Sequence, residues 1–249
     1  MFAVVVVLSI TGIVFRASKN PEPAETPSAK QSVSSATESP TTAAQTPAET
    51  ATPGPENTHL TPESATAPFT KSNIIIVSKK HPLPKSWAPG ENTKAVSHLK
   101  QLIAVAQKSG DAHASQIINQ WSGYRSYDTQ ANLYANYVAS SGVEAANTYS
   151  AEAGYSEHQT GLAFDLKDGS GNLYRINDSI YNYATDWVVR HAHEYGFVVR
   201  YHDEWGPITG YVGEAWHLRY LGVETATKVK NSGKTLEEFL GISRGNYAQ

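Results

Sequence analysis

A long stretch with almost no large apolar residues limits how much of this chain can fold. Residues 17–68 consist almost entirely of Pro, Ala, Ser, Thr, Glu and Gln; they hold nine of the thirteen prolines and contain no Trp or Tyr. Such a stretch cannot bury enough apolar surface to offset the loss of backbone entropy, so it predicts a disordered linker. Folding is thereby confined to residues 69–249, about 180 residues, which suffice for one hydrophobic core.

An apolar run precedes this linker, from Met1 to Phe15. The run is shorter than the roughly 20 residues that cross a bilayer comfortably. Its nearest cations, Arg16 and Lys19, follow it, whereas a signal peptide begins with basic residues. A membrane anchor, a cleaved signal and a buried strand all remain open, and the lack of globular sequence directly after the run disfavours the strand. We expect residues 1–16 to be an export or anchoring segment.

The composition excludes several classes of function. The formal net charge is −3, so there is no surplus of basic residues for binding nucleic acid. The chain has no cysteine, which excludes disulfides and thiolate zinc sites. Any metal must therefore be bound by histidine and carboxylate side chains.

The spacing of apolar residues predicts a single α+β domain with a central antiparallel sheet flanked by helices, because strands and helices alternate without a strict βαβ rhythm. We expect the first helix to end at Gly110, the second to begin with Asp128 as its N-cap, and the third to close at Gly196. The predicted strands are NIIIV, SQIINQWS, LAFDL, FVVRYH and EAWHLRYLG, and the predicted helices are TKAVSHLKQLIAVAQKSG, YDTQANLYANYVASSG and SIYNYATDWVVRHAHEYGF.

A histidine and an acid flank a glycine in SEHQTGLAFD, residues 156–165. After Gly161, large apolar residues alternate with Ala163 and Asp165, so a strand here would turn one face to the core and carry Asp165 on the other. The glycine permits a bend that brings His158 back over Asp165. The spacing is compatible with two metal ligands, although a half-buried strand after a polar turn has the same pattern.

A second polar pattern lies in EAWHLRY, residues 214–220, where aromatic or apolar residues alternate with His217 and Arg219. A strand with one apolar and one polar face fits this pattern equally well. Glu214 lies three positions from His217, so both can serve one site only if Glu214 lies on a turn or bulge at the start of the strand. His158, Asp165 and His217 would supply three nitrogen and oxygen ligands and leave one coordination position of a zinc ion open for water. The remaining acid, Glu214, could accept the proton of that water.

Four segments in this order, SGYRSYDTQ, GYSEHQTGLAFDL, HEYGFVVRY and GEAWHLRYLG, resemble the zinc D-alanyl-D-alanine carboxypeptidases of the VanY type. That group includes LD-carboxypeptidases, which trim peptidoglycan stem peptides in bacteria. The resemblance extends from about Ile74 to Leu240. It implies the hedgehog/DD-peptidase fold, Zn²⁺ as cofactor and peptidoglycan stem peptides as the binding partner, and we further expect a monomer.

The resemblance also implies a role for each matching residue. His158, Asp165 and His217 would bind Zn²⁺. Glu214 would act as general base and acid, and Arg125 would stabilise the oxyanion or hold the peptide carboxylate. The residues expected to contact the substrate are Tyr124, Gln130 and Ser156.

Other functions remain open at this point. A serine carboxypeptidase of the penicillin-binding kind carries S-x-x-K, which SHLK (97–100) matches, but neither S-D-N nor K-T-G follows it. A non-catalytic module that binds cell wall on the same scaffold is disfavoured because Glu214 is retained. The sequence leaves DD and LD specificity open, as well as dipeptidase and endopeptidase action. We expect the domain on the extracellular face of a bacterial cell, anchored in the membrane or secreted into the cell wall.

Overall fold

The computed structural model describes residues 60–175, 186–243 and 247. Short 3-10 helices lie at Ala114–Gln116, Glu157–Thr160, Ala192–Tyr195 and Asp203–Trp205. Over the described residues the strands and α-helices are, in order, β1 (Thr70–Lys71), β2 (Ile74–Ile75), α1 (Thr93–Ala106), β3 (Ile117–Ser122), α2 (Tyr127–Ser141), α3 (Val143–Tyr149), β4 (Ala163–Asp168), α4 (Trp187–His191), β5 (Phe197–Tyr201), α5 (Gly206–Thr209), β6 (Glu214–Tyr220), α6 (Val223–Ser232) and α7 (Leu236–Leu240).

The central sheet has the strand order β3-β4-β6-β5, and each neighbouring pair is antiparallel. Strands β1 and β2 form a separate small hairpin. The predicted α+β class with a central antiparallel sheet is therefore confirmed. Because β4 and β6 are the two inner strands, their registered pair Asp165 and His217 lies side by side in the middle of the sheet.

One face of the sheet packs on α1, as the alternation in β4 predicted. Phe164 and Leu166 are fully buried, and they share a cluster with the apolar face of α1. The helix begins at the N-cap Asn92, whose side chain accepts a hydrogen bond from Ala95 N, 2.9 Å. It ends at Ala106, four residues before the predicted end, because the Ser109 hydroxyl and amide both bond to the Ala106 carbonyl and tighten the chain into a turn.

The start of α2 differs from the prediction. Ser126, not Asp128, is the N-cap, and its hydroxyl accepts a hydrogen bond from Thr129 N, 3.2 Å. Asp128 lies in the first turn instead, where its negative charge interacts favourably with the helix dipole. Serine and aspartate are equally good N-caps, so the sequence alone does not choose between two candidates two residues apart.

The third predicted helix is only partly visible, since residues 176–185 lie outside the described part of the chain. It begins in the structure at Trp187, behind the N-cap Asp186, and tightens into the 3-10 helix after His191. It closes at Gly196, as predicted, with a φ of 85°.

The predicted N-terminal segment and most of the predicted linker lie outside the described residues. The last part of the linker sequence, residues 60–68, is described and contacts the domain. Lys85 N donates to the Pro62 carbonyl at 2.8 Å, and the Tyr127 hydroxyl donates to Glu63 Oε1 at 3.0 Å. The boundaries at residues 16 and 68 stay predictions. Among the described helices, none is long and apolar enough to cross a membrane.

Gly161 makes the sharp turn between the 3-10 helix Glu157–Thr160 and β4. Its φ is 72°, and a Cβ at this position would collide with the carbonyl oxygen of Gly90. That neighbour is backbone, fixed by the bond from Asn92 N to the Gly161 carbonyl, 3.0 Å, so it cannot move aside cheaply. The glycine is thus required both by its backbone conformation and by the close approach of a second chain segment.

We expect Gly161→Ala to lower the free energy of unfolding by at least about 2 kcal/mol, because backbone strain and a steric clash add together. Urea unfolding of the metal-free protein measures this value. Gly171→Ala is the matched control: Gly171 has a φ of 82° with open space where a Cβ would lie, so only the conformational cost of about 1 kcal/mol is expected. Equal losses in both variants would show that the contact with Gly90 is unimportant.

Candidate metal centre

Three side chains meet at the middle of the sheet, contributed by the 3-10 helix Glu157–Thr160, by β4 and by β6. His158 Nε2 lies 3.1 Å from Asp165 Oδ2, and His217 Nδ1 lies 3.0 Å from Asp165 Oδ1. All three side chains are buried, and one potential ligand atom from each lies within 4.8 Å of the others. The structure therefore brings together the three residues predicted as metal ligands.

Hydrogen bonds behind each imidazole orient its free nitrogen toward the centre. His158 Nδ1 lies 2.7 Å from the carbonyl oxygen of Gly123. His217 Nε2 lies 3.1 Å from Glu157 Oε2. Both partners are acceptors, so each places a proton on the outer nitrogen of the ring and leaves the inner nitrogen available as a ligand.

The electrostatics of the three residues fit a cation. Burial lowers the pKa of His158, with a further contribution from the charge of Arg125. Burial alone would also lower the pKa of His217, but the hydrogen bonds with Asp165 and Glu157 outweigh it and raise this pKa to about 9. Two carboxylates thus give His217 surroundings that favour a positive charge. Two imidazole nitrogens and a carboxylate, without sulfur, form a donor set that suits Zn²⁺.

Glu214 is the first residue of β6, at the position where the pairing of β5 and β6 shifts register between Val199 and Tyr201. This irregularity turns the carboxylate to the same side as His217, and Glu214 Oε2 lies 4.0 Å from His217 Nδ1. Burial raises the pKa of Glu214 to about 8. A bound cation would lower that pKa again, toward the neutral range in which a carboxylate both accepts and returns a proton.

Arg125 follows β3 and lies beside the three candidate ligands. Its backbone N donates to the His158 carbonyl at 3.3 Å. Burial lowers the pKa of its guanidinium, against the opposing charges of Asp165 and Glu214. The buried Nε has no hydrogen-bond partner among the residues that the structure describes. An unused donor on a cation at this place is suited to an anionic group of a bound molecule.

The three residues expected to contact substrate differ in their surroundings. Gln130 is buried, and its Nε2 donates to the Ala151 carbonyl at 2.6 Å, while its Oε1 finds no partner in the described part of the chain. Ser156 is buried as well, and its hydroxyl caps the following 3-10 helix by accepting from His158 N. Tyr124 is partly exposed. Gln130 and Ser156 thus bond within the protein, and contact of the three with substrate stays a prediction.

A buried network of charged residues behind the metal centre was not predicted from the sequence. Glu157 is only 3% exposed, and its Oε1 accepts from Arg200 Nε and from Arg219 Nη1, both at 2.9 Å. Burial would raise the pKa of Glu157, but the two guanidinium groups hold it well below its usual range. Arg200 also donates to Glu237 Oε1 at 2.7 Å. The available signal was an arginine in each of the two strands FVVRY and EAWHLRY, because a buried arginine requires a paired acid.

Several known proteins are similar to this chain in sequence and in fold. Residues 90–223 match the VanY family of D-alanyl-D-alanine carboxypeptidases. The chain is 33% identical over 186 residues to YodJ of Bacillus subtilis, described as a carboxypeptidase, and the match covers 67% of this chain and 66% of that protein. The L,D-carboxypeptidase DacB of Streptococcus pneumoniae is 43% identical, with a TM-score of 0.64 over 72% of this chain and 94% of the other. A D,D-pentapeptidase, VanY, of a VanB-type vancomycin-resistance cassette, solved with Zn(II), is 30% identical, with a TM-score of 0.52 over 67% of this chain and 97% of the other.

Proposed function

This chain belongs to the VanY family of D-alanyl-D-alanine carboxypeptidases, and we propose that it is itself a zinc-dependent carboxypeptidase that removes the C-terminal D-alanine from peptidoglycan stem peptides. The observation that carries the proposal is the buried cluster of His158, Asp165 and His217, with Glu214 4.0 Å from His217. A passive cell-wall-binding module would not need a buried acid beside a metal site.

The preferred substrate in this proposal is the tetrapeptide, so that the enzyme is an LD-carboxypeptidase. Identity to the L,D-carboxypeptidase DacB is 43%, against 30% for the D,D-pentapeptidase, over similar shares of this chain. The two activities differ in the configuration of the residue before the scissile bond, which is L in the tetrapeptide and D in the pentapeptide. The greater similarity to DacB supports the first.

The reaction can be described from the residues of this chain. His158, Asp165 and His217 would hold Zn²⁺, which when bound polarises the scissile carbonyl and lowers the pKa of a water ligand. Glu214 accepts a proton from the attacking water and returns it to the amine of the departing D-alanine as the C–N bond breaks. The guanidinium of Arg125 pairs either with the oxygen that becomes negative during attack or with the terminal carboxylate of the peptide.

A serine mechanism is disfavoured by the position of its candidate residues. Ser97 and Lys100, the S-x-x-K pair, are both exposed on α1. A nucleophile and its base act within a site that encloses the substrate, with the two groups in hydrogen-bond reach. The S-x-x-K match is therefore better explained as part of an amphipathic helix.

We further propose that the enzyme acts outside the cell membrane and as a monomer, either tethered through residues 1–16 or released into the cell wall. Peptidoglycan lies on that side of the membrane. The apolar run at the N-terminus and the proline-rich stretch of residues 17–68 support a tether that holds the domain away from the membrane surface.

Purified protein incubated with tetrapeptide and pentapeptide muropeptides tests the proposal by the masses of the products. We expect loss of one alanine from the tetrapeptide, with kcat/KM at least about tenfold above that for the pentapeptide, a difference of about 1.4 kcal/mol in transition-state binding. Phenanthroline should abolish the reaction, added Zn²⁺ should restore it, and penicillin should have no effect. Preference for the pentapeptide would contradict LD specificity, and activity in excess chelator or inhibition by penicillin would contradict a zinc mechanism.

A further inference from the structure

We propose that Glu157 is a positioning residue, which fixes the imidazole of His217 so that Nδ1 is presented to the metal. The inference rests on the zinc site of the proposed function and adds a residue to it. Glu157 binds no metal in this assignment and acts only through His217.

The contacts of the His217 ring define its orientation from both sides. Nδ1 lies 3.0 Å from Asp165 Oδ1, inside the candidate metal centre, and Nε2 lies 3.1 Å from Glu157 Oε2, outside it. Glu157 as a carboxylate is acceptor only, so Nε2 must carry the proton that it receives. The lone pair of the neutral ring is then fixed on Nδ1. An acceptor behind a ligating histidine sets its tautomer and ring angle and increases its basicity.

Glu157 in turn is held so that it cannot rotate away. Its other oxygen, Oε1, receives hydrogen bonds from Arg200 Nε and Arg219 Nη1. Arg219 Nη2 donates to the Ile75 carbonyl on β2 at 2.7 Å, and Arg200 is bonded to Glu237 on α7. The two arginines are balanced by two acids, as a buried cluster of charges requires. The Oε1 atom of Glu157 is therefore held by the two arginines, and Oε2 is left to accept from His217.

A purely structural role for this cluster has a different signature. If Glu157 served only to neutralise the two arginines, its loss would lower stability but would leave the His217 ring and the metal affinity unchanged. Metal binding, measured separately from stability and from turnover, decides between the two roles.

Glu157→Gln is the decisive variant because it keeps the shape of the side chain. An amide cannot accept from His217 and from both arginines, since its second atom is a donor. If the amide nitrogen faces His217, Nε2 must become an acceptor and the proton moves to Nδ1, which blocks the metal ligand. If it faced the arginines, it would oppose two charged donors that cannot become acceptors, which is the costlier arrangement, so we expect the amide nitrogen to face His217. We expect the Kd for Zn²⁺, measured by competition with a chromophoric chelator, to rise about 10- to 100-fold, and the visible spectrum of the Co²⁺ form to change.

Asp186→Asn is the matched control. Asp186 is another buried carboxylate with hydrogen bonds, from the Tyr174 hydroxyl at 2.6 Å and from Val188 N at 2.8 Å, but it is not bonded to the metal centre. We expect it to lower stability without changing the Kd for Zn²⁺ or the Co²⁺ spectrum. An unchanged Kd and spectrum in Glu157→Gln would overturn the assignment.

A second measurement does not depend on the folding of any variant. ¹⁵N NMR of the zinc-loaded wild-type protein should show His217 protonated on Nε2, and a proton on Nδ1 would equally overturn the assignment. Failure of the wild-type protein to bind Zn²⁺ at all would contradict the proposed function instead, so the two failures can be distinguished.

Discussion

Replacement of Glu214 by alanine is expected to lower kcat for the tetrapeptide by about 10³- to 10⁴-fold while Zn²⁺ stays bound. The carboxylate lies 4.0 Å from His217 Nδ1, farther than the contacts among the three candidate ligands, so its loss removes proton transfer and leaves the donor set intact. General acid–base catalysis by one positioned side chain typically contributes about 10²- to 10⁴-fold to the rate. We expect the upper end of this range because Glu214 serves both the attack of water and the departure of the amine.

The measurement pairs steady-state kinetics with the zinc content and Kd of the purified variant. Glu224→Ala is the control, since Glu224 is an exposed acid whose partner is Lys228 at 2.6 Å on the surface of α6, and an exposed pair of this kind matters little. We expect wild-type kinetics and zinc binding from it. Full activity in Glu214→Ala would contradict the mechanism, and loss of zinc would make Glu214 a ligand rather than a base.

Replacement of His217 by alanine is expected to remove zinc binding and activity together. The variant loses one of three metal ligands. Loss of a residue that only hydrogen-bonds to a ligand raises the Kd by up to about 100-fold, so loss of the ligand itself should raise the Kd for Zn²⁺ by more than that. Its stability should fall as well, because Asp165, buried between His158 and His217, loses one of these two partners. Turnover at saturating substrate should then be undetectable without added metal.

Isothermal calorimetry with Zn²⁺ and the muropeptide assay together check this result. His191→Ala is a suitable control, because His191 is a half-exposed histidine that bonds Glu194 at 2.9 Å and stacks on Trp187, outside the candidate metal centre. It should bind zinc as the wild type does. Retention of wild-type zinc affinity in His217→Ala would exclude His217 as a ligand.

The contrast between the metal centre and the network behind it shows what the sequence could predict. The bend at Gly161 and the alternation through β4 are local, so the pattern of ten residues was compatible with His158 and Asp165 as two metal ligands, although a half-buried strand after a polar turn fitted it as well. The position of Glu214 was predicted only on the condition that it shares a site with His217, because a regular strand would turn residues three positions apart to opposite faces.

The network of Glu157 could not be predicted in this way. Its arginine partners lie 43 and 62 residues further along the chain, and in the sequence Glu157 is simply an acid in a polar turn. Only the order of strands in the sheet brings these charges together. The misplaced N-cap of α2 has a different cause, since Ser126 and Asp128 are both good caps and the choice depends on where the preceding strand ends.

The charged network also ties the metal centre to distant parts of the chain. Its contacts extend from Ile75 in the N-terminal hairpin to Glu237 in α7. A change in either segment therefore bears on the carboxylate behind His217, although both segments lie far from the three candidate ligands in the sequence.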